Sequence, residues 1–344
     1  MIQSGTGDLD FANAILHGRR SRLYEGARLD DACHLRTIPE LSIKLGIGVE
    51  ATSFSGLQRL LIEQAIAELN SLRYHLTSGS LHLYEWILAR FQLEQLKVVI
   101  RGFISSSPAG LIRKHLIDLP GELTLNTDRL LSLKSLGQYA DFLPSNGLRD
   151  IARNVLSANH AQPFLLETAL DHEYFREMLA RACRIPSVDL SGFKAMILQE
   201  VDIFHLLLVV RGKFIHGFDA NQLLPMHVPG SNISKNLFME MLSDPEPAFS
   251  AKRLLKRAVD SVPQNQTTSV SMLEELGWTR YYRLSCQSFR KSILGPGIIF
   301  SYAGLRRIEV ANLITVIEGA RLGVPSDKLR SRLLPRTVWE VAHV

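Results

Sequence analysis

The chain has 344 residues, of which 46% are hydrophobic and 21% charged, with 14 Pro and 23 Gly. That is the composition of a globular protein long enough to bury a core without disulfides or metals, and it excludes a disordered or collagen-like chain. Lys and Arg outnumber Asp and Glu by 39 to 34, a net +5 spread along the chain; a nucleic-acid partner, which wants a concentrated basic face with interleaved aromatics, is not expected.

The opening segment Met1–Asp10 is polar and acidic, unlike a secretory leader. Gly5-Thr6-Gly7 and Gly46-Ile47-Gly48 lack the GK[ST] or third glycine of a nucleotide loop and follow no strand pattern. Asp30-Asp31 is followed by Ala32-Cys33-His34, so no DDxxD magnesium helix is expected. Leu57–Leu72 is the first amphipathic helix, with apolar residues at i, i+3, i+4 and i+7, and carries Glu63; Leu165–Ala182 is the second, with Glu167, and Ile308–Ala320 repeats the period. Breaks fall at Ser105–Pro108, Pro144–Gly147, Asp244–Pro247, Pro263–Thr268 and Gly295–Gly297. Asp171-His172-Glu173 cannot face one ion from a helix, since neighbours point 100° apart, and reads as an acidic cluster at a helix start. The most apolar run, Ile203–Val210, is too short for the roughly 20 residues of a membrane helix and is interrupted by His205, so a soluble protein is expected. Lys252, Arg253, Lys256 and Arg257 share one helical face, read as solvated, with an acidic partner or lipid head group as the alternative. His160 and His343 have no companions at ligand spacing. Neither GxSxG nor a cysteine nucleophile signature occurs. Three distant cysteines, Cys33, Cys183 and Cys286, argue against disulfides and zinc and for a reducing compartment. Alternating strand patterns are scarce, and the fold class is all-α.

Internal repetition is the strongest signal. Phe91–Gly102, Val201–Gly212 and Ile308–Gly319 align without gaps, starting at 91, 201 and 308 with offsets of 110 and 107. The second position is Gln92, Asp202 or Glu309; the fifth is Gln95, His205 or Asn312, followed by Leu; each segment closes on Arg101-Gly102, Arg211-Gly212 or Glu318-Gly319. Glu63, Glu167 and Glu274 recur upstream, and Leu119-Pro120, Val228-Pro229 and Leu334-Pro335 recur downstream. Units of over a hundred residues are small helical domains, not solenoid repeats; the copies divide the chain at 1–123, 124–236 and 237–344.

The second copy is apolar almost all round, so its helix is buried and its polar residues need partners. Positions two and five share a face, whereas positions two and eleven lie on opposite sides, so Asp202 cannot reach Arg211 within one helix. Arg101 and Arg211 are expected to pair with recurring acids such as Glu63 and Glu167. Gly102, Gly212 and Gly319 read as close helix contacts or helix ends. Because the residue types drift between copies, the set Glu63, Gln92, Gln95, Arg101, Glu167, Asp202, His205, Arg211, Glu274, Glu309, Asn312 and Glu318 reads as structural hydrogen bonding, with a catalytic or metal constellation as the alternative.

These residues resemble a known family. Phe11–Leu23 (FANAILHGRRSRL), Leu166-Glu167 with Tyr174-Phe175, the three repeat helices, the turns Leu119-Pro120-Gly121 and Val228-Pro229-Gly230, and above all Ile308–Pro335 look like the C subunit of V/A-type (vacuolar/archaeal-type) rotary ATPases, whose eukaryotic homologue is the V-ATPase d subunit. His17-Gly18, Gln92, Gln95 and Ser231 depart from the family pattern, as in a divergent branch. The resemblance implies three helical domains arranged as a funnel with approximate threefold symmetry, without active site or cofactor. It further implies a protein on the cytoplasmic face of the membrane, peripheral to it, joining D- and F-type shaft subunits to the proteolipid rotor ring so that ATP hydrolysis or synthesis is coupled to H⁺ or Na⁺ movement. Two other readings are a triplicated helical adaptor unrelated to rotary ATPases and an all-α lyase or transferase with a carboxylate-lined cavity.

Overall fold

The 3.6-residue period runs unbroken through the longest helices, Ser78–Ile104 of 27 residues and Gly297–Arg321 of 25 residues. A computed structural model describes residues 6–47, 51–144, 147–157, 162–245, 270–292 and 295–335. Helices and their turns account for the regular structure, with no strand among the described residues. The basic cluster Lys252–Arg257, the break at Pro263–Thr268, His160 and His343 lie outside them. The chain separates into two compact units, one formed by Met1–Thr77 with Tyr282–Val344, the other by Ser78–Tyr281.

In the first unit, Ser53 caps the helix Phe54–Ser71 by accepting from Gly56 N–H at 3.1 Å, and this helix packs along Gly297–Arg321. Leu57 and Leu61 of one meet a core stripe of Leu313, Val316, Ile317 and Ala320 on the other, i, i+3, i+4 and i+7. The same core takes Leu41 from Ile38–Leu45, a helix started by a Thr37/Glu40 capping box and ended by Gly46 at φ 64°.

In the second unit, Ser78–Ile104 packs along Pro163–Ala182. Trp86 and Tyr174 stack at 5.4 Å, and the indole Nε1 donates to the Tyr174 carbonyl at 3.0 Å, so the largest buried side chain is also polar-satisfied. Tyr174, Phe175 and Phe204 continue the aromatic chain at 5.3 and 5.1 Å. Lys194–Leu207 meets the start of Val270–Lys291: Gln199 Nε2 donates to the Gly277 carbonyl at 3.2 Å.

One local module recurs three times. Each repeat glycine is covered by an aliphatic residue of the short helix that follows: Gly102 by Ile112 of Ala109–Lys114, Gly212 by Leu223 of Ala220–Leu223, Gly319 by Leu329 of Ser326–Arg330. Each glycine carbonyl accepts a helix-closing bond, from Ser107 N–H at 2.8 Å, Phe218 N–H at 3.0 Å and Val324 N–H at 2.9 Å. The residue before each of those donors is left-handed: Ser106 at φ 53°, Gly217 at 71° and Gly323 at 66°. Copy two has one more residue between its glycine and this cap, and its helix ends in π turns over Leu208–Ile215. A wider turn absorbs an inserted residue without breaking the helix.

A Cβ at Gly319 would approach Leu329 Cδ1 to 2.6 Å and one at Gly212 would approach Leu223 Cδ2 to 3.0 Å, whereas Gly110 has nothing within 4 Å. Overpacking of this kind costs roughly 1–3 kcal/mol. Gly319→Ala is therefore expected to be the more destabilised in chemical denaturation, Gly212→Ala less so, and Gly110→Ala neutral. Equal midpoints for the Gly319 and Gly110 variants would contradict the module.

Candidate functional site

The fifth-position side chain of each repeat helix fastens the turn that returns beneath it. Gln95 Oε1 accepts from Ile117 N–H at 3.1 Å, His205 Nε2 from Val228 N–H at 2.9 Å, and Asn312 Oδ1 from Leu334 N–H at 2.9 Å. The partners lie 22, 23 and 22 residues downstream, the middle one lengthened by the residue the π turns absorb. Asn312 closes a second bond, Nδ2 donating to the Leu334 carbonyl at 2.7 Å. The Val228 amide is buried and the other two are part-buried, and each would be costly to leave unmet. Beside the first latch is a cavity of about 80 Å³, lined by Gln95, Ile117, Leu119 and Thr124 among others.

Position two holds the next stretch of chain. Gln92 Nε2 donates to the Leu123 carbonyl at 3.1 Å, while Asp202 Oδ2 accepts from Asn232 Nδ2 at 2.8 Å. In copy three the partner comes from the other end of the sequence: Glu309 Oε1 accepts from Tyr24 N–H at 2.6 Å. Burial pushes the Asp202 and Glu309 carboxyls up; bonds from Asn232, and the Arg306 charge beside Glu309, oppose that rise.

At position eleven, Arg101 pairs with Glu167 at 3.0 Å and Arg211 with Glu274 at 2.6 Å, each acid belonging to the next copy in sequence. Copy three carries the opposite charge: Glu318 meets Arg321 and accepts from Gln58 Nε2 at 3.4 Å. Glu63 is paired with Arg59 four residues before it in its own helix, at 2.7 Å.

Two buried ion clusters were not singled out from the sequence. Lys97, only 3% exposed, bonds Asp171 and lies 3.2 Å from Glu94, and Arg90 reaches Asp171 and Glu94 at 2.7 Å each. Burial works against the Arg90 charge, but Asp171 and Glu94 outweigh it and hold the guanidinium protonated. In the other unit, Arg306 bridges Glu68 at 3.0 Å to Glu309, and Tyr302 Oη donates to Glu68. Burial, reinforced by Glu68, drives the Tyr302 phenol up. Lys97 and Arg90, two cations seven residues apart in an apolar helix, were the available signal.

Asp171-His172-Glu173 needs correction. The triplet lies in the middle of Pro163–Ala182, not at its start, and side chains compensate it: Arg90 and Lys97 on Asp171, Arg176 on Glu173. Among the described residues no group of three His, Cys, Asp or Glu side chains could hold a metal ion.

Residues 12–332 match the family model described as ATP synthase (C/AC39) subunit. Among curated proteins, the chain is 22% identical over 288 residues to the C subunit of the A-type ATP synthase of Methanosphaera stadtmanae, covering 79% of this chain and 74% of that protein. It is 23% identical over 306 residues to the corresponding A-type ATP synthase protein of Methanosarcina barkeri, covering 87% and 83%.

Asn312→Ala strands a part-buried N–H and a carbonyl together, at about 2–4 kcal/mol; Gln95→Ala strands one N–H, at about 1–2 kcal/mol. Glu167→Gln costs no more than about 1 kcal/mol, because Arg101 is half exposed and solvent screens the pair. Urea unfolding of the three variants checks this order; an Asn312 variant as stable as wild type would remove the latch.

Proposed function

The chain belongs to the ATP synthase (C/AC39) subunit family, and on that premise we propose that it is the non-catalytic coupling component of an A/V-type rotary ATPase. In this reading it joins the D- and F-type central shaft subunits to the proteolipid rotor ring on the cytoplasmic side of the membrane. Its three copies, 1–123, 124–236 and 237–344, form a funnel of approximate threefold symmetry, and rotation passing through it couples ATP turnover to H⁺ or Na⁺ movement.

The observation that carries the reading is the family match over residues 12–332, and the thrice-repeated latch supports it. A part that transmits torque must resist shear between its helices. Close packing resists it through volume, and side-chain bonds from a buried helix to a returning turn resist it through geometry. No helix among the described residues is long and apolar enough to cross a membrane.

A tagged chain pulled from native membranes is expected to bring down proteolipid and the nucleotide-binding head subunits together. Membranes lacking the chain are expected to retain ATP hydrolysis in the detached head but lose ATP-driven ion uptake into vesicles. Recovery of the chain with no other rotary ATPase component, or uptake undiminished by its removal, would defeat the proposal.

A further inference from the structure

The three latches do the same work with different chemistry. Gln95 and Asn312 are amides that do not titrate; His205 does. Its Nε2 accepts from Val228 N–H at 2.9 Å, so that nitrogen carries a lone pair and the ring proton sits on Nδ1. Protonating the ring would put a second hydrogen between two donors and abolish the bond. In the amide latches, acid changes nothing of this kind.

Among the described residues, no group beside the ring compensates an imidazolium charge. His205 is fully buried, and its Nδ1 has no hydrogen-bond partner among the described residues. From the returning loop it faces His227, stacked at 5.0 Å, whose Nε2 bonds the Ile233 carbonyl at 2.8 Å. From Lys235–Ser243 it faces the ring of Phe238 at 5.2 Å. From Pro163–Ala182 it feels His172, which reaches the His227 carbonyl at 3.3 Å and has Glu173 beside it. On its own helix, Asp202 holds Asn232 of the same loop through Oδ2, its Oδ1 has no hydrogen-bond partner among the described residues, and the Arg280 charge acts on it. Three histidines thus converge on one loop, and protonation of His172 or His227 would repel a charge on His205.

We propose that His205 makes the middle latch an acid-released one: as pH falls, the 224–234 loop loosens from its repeat helix while the latches at Gln95 and Asn312 stay closed. This goes beyond the coupling role and does not depend on it. Burial, with His227 and His172 adding to it, pushes the His205 imidazole down to about 3. In a released loop the ring returns to the ordinary value near 6.5. The released form then binds the extra proton, so release grows as pH drops below about 6.5 and levels off only near the closed-state value. The expected gain is about threefold from pH 7 to pH 6 and about eightfold from pH 6 to pH 5, roughly 25-fold in all.

Hydrogen exchange by mass spectrometry on the full chain at pH 7, 6 and 5, corrected for intrinsic exchange, reads this directly. Peptides over 224–234 are expected to lose protection by that factor, while peptides over 115–120 and 331–335, which report the amide latches, change less than about twofold. His205→Asn and His205→Gln borrow the residues of the other two copies and are expected to flatten the response. Constant protection over 224–234 in the wild-type chain overturns the proposal, as does an equal loss at all three latches. So does an undiminished loss in either variant, since another group would then carry it. The wild-type comparison among latches decides the matter even if a variant fails to fold.

Discussion

A buried helix with no polar face leaves the chain one way to return across it, because the amides of the returning turn must still find acceptors. Here the acceptor is a single side chain per copy: Gln95, His205 or Asn312. Much follows from that bond. It sets how long the return can be, 22 or 23 residues; it makes the intervening short helix lie flat, with Ile112, Leu223 or Leu329 against a glycine where a side chain would stand in the way. The left-handed helix end four or five residues past each glycine turns the chain into that path.

The drift of residue types at these positions follows from what the bond requires. A backbone N–H needs an acceptor at the right reach, and a carboxamide or a neutral imidazole each supplies one. Position two is freer still. A returning stretch of backbone offers both N–H and C=O, so Gln92 donates to it while Asp202 and Glu309 accept from their partners. At position eleven the sign of the charge is free, provided the opening helix opposite answers it, as Glu167 and Glu274 answer Arg101 and Arg211. Constancy of geometry with variation of chemistry leaves one copy able to titrate where its siblings cannot.

The parts of this arrangement that depend on local spacing were legible in the sequence: the all-α class, the three repeat helices, the glycines as close contacts, and polar residues seeking partners off their own helix. Partners distant in sequence were legible only as recurring acids for the repeat arginines, such as Glu167 for Arg101. Tyr24 meets Glu309 across 285 residues, and it does so through a backbone amide, which no residue type advertises. Lys97 lay inside a largely apolar helix, where a cation is normally a surface residue; Asp171 and Glu94, brought in by another helix and by the preceding turn, make its burial tolerable. Asp171-His172-Glu173 was misplaced at a helix start because the amphipathic pattern gives the phase of a helix better than its ends. The extra residue between Gly212 and its helix cap, which the π turns of copy two take up, is visible only in three dimensions.

The pairing of helices also separates the unit of sequence from the unit of packing. Phe54–Ser71, the opening helix of the first copy, finds its partner in Gly297–Arg321, the repeat helix of the third. Ser78–Ile104 of the first copy instead takes Pro163–Ala182 of the second. The unit containing Met1–Thr77 cannot close until Tyr282–Val344 has been made. Such long-range closure is slow, because the entropy of bringing distant segments together is lost before the contacts that reward it form. The second unit, continuous from Ser78 to Tyr281, has no such wait. The division that results places polar bonds spanning 285 and 238 residues, Tyr24 to Glu309 and Glu68 to Arg306, in the unit whose closure has the larger entropic cost to offset.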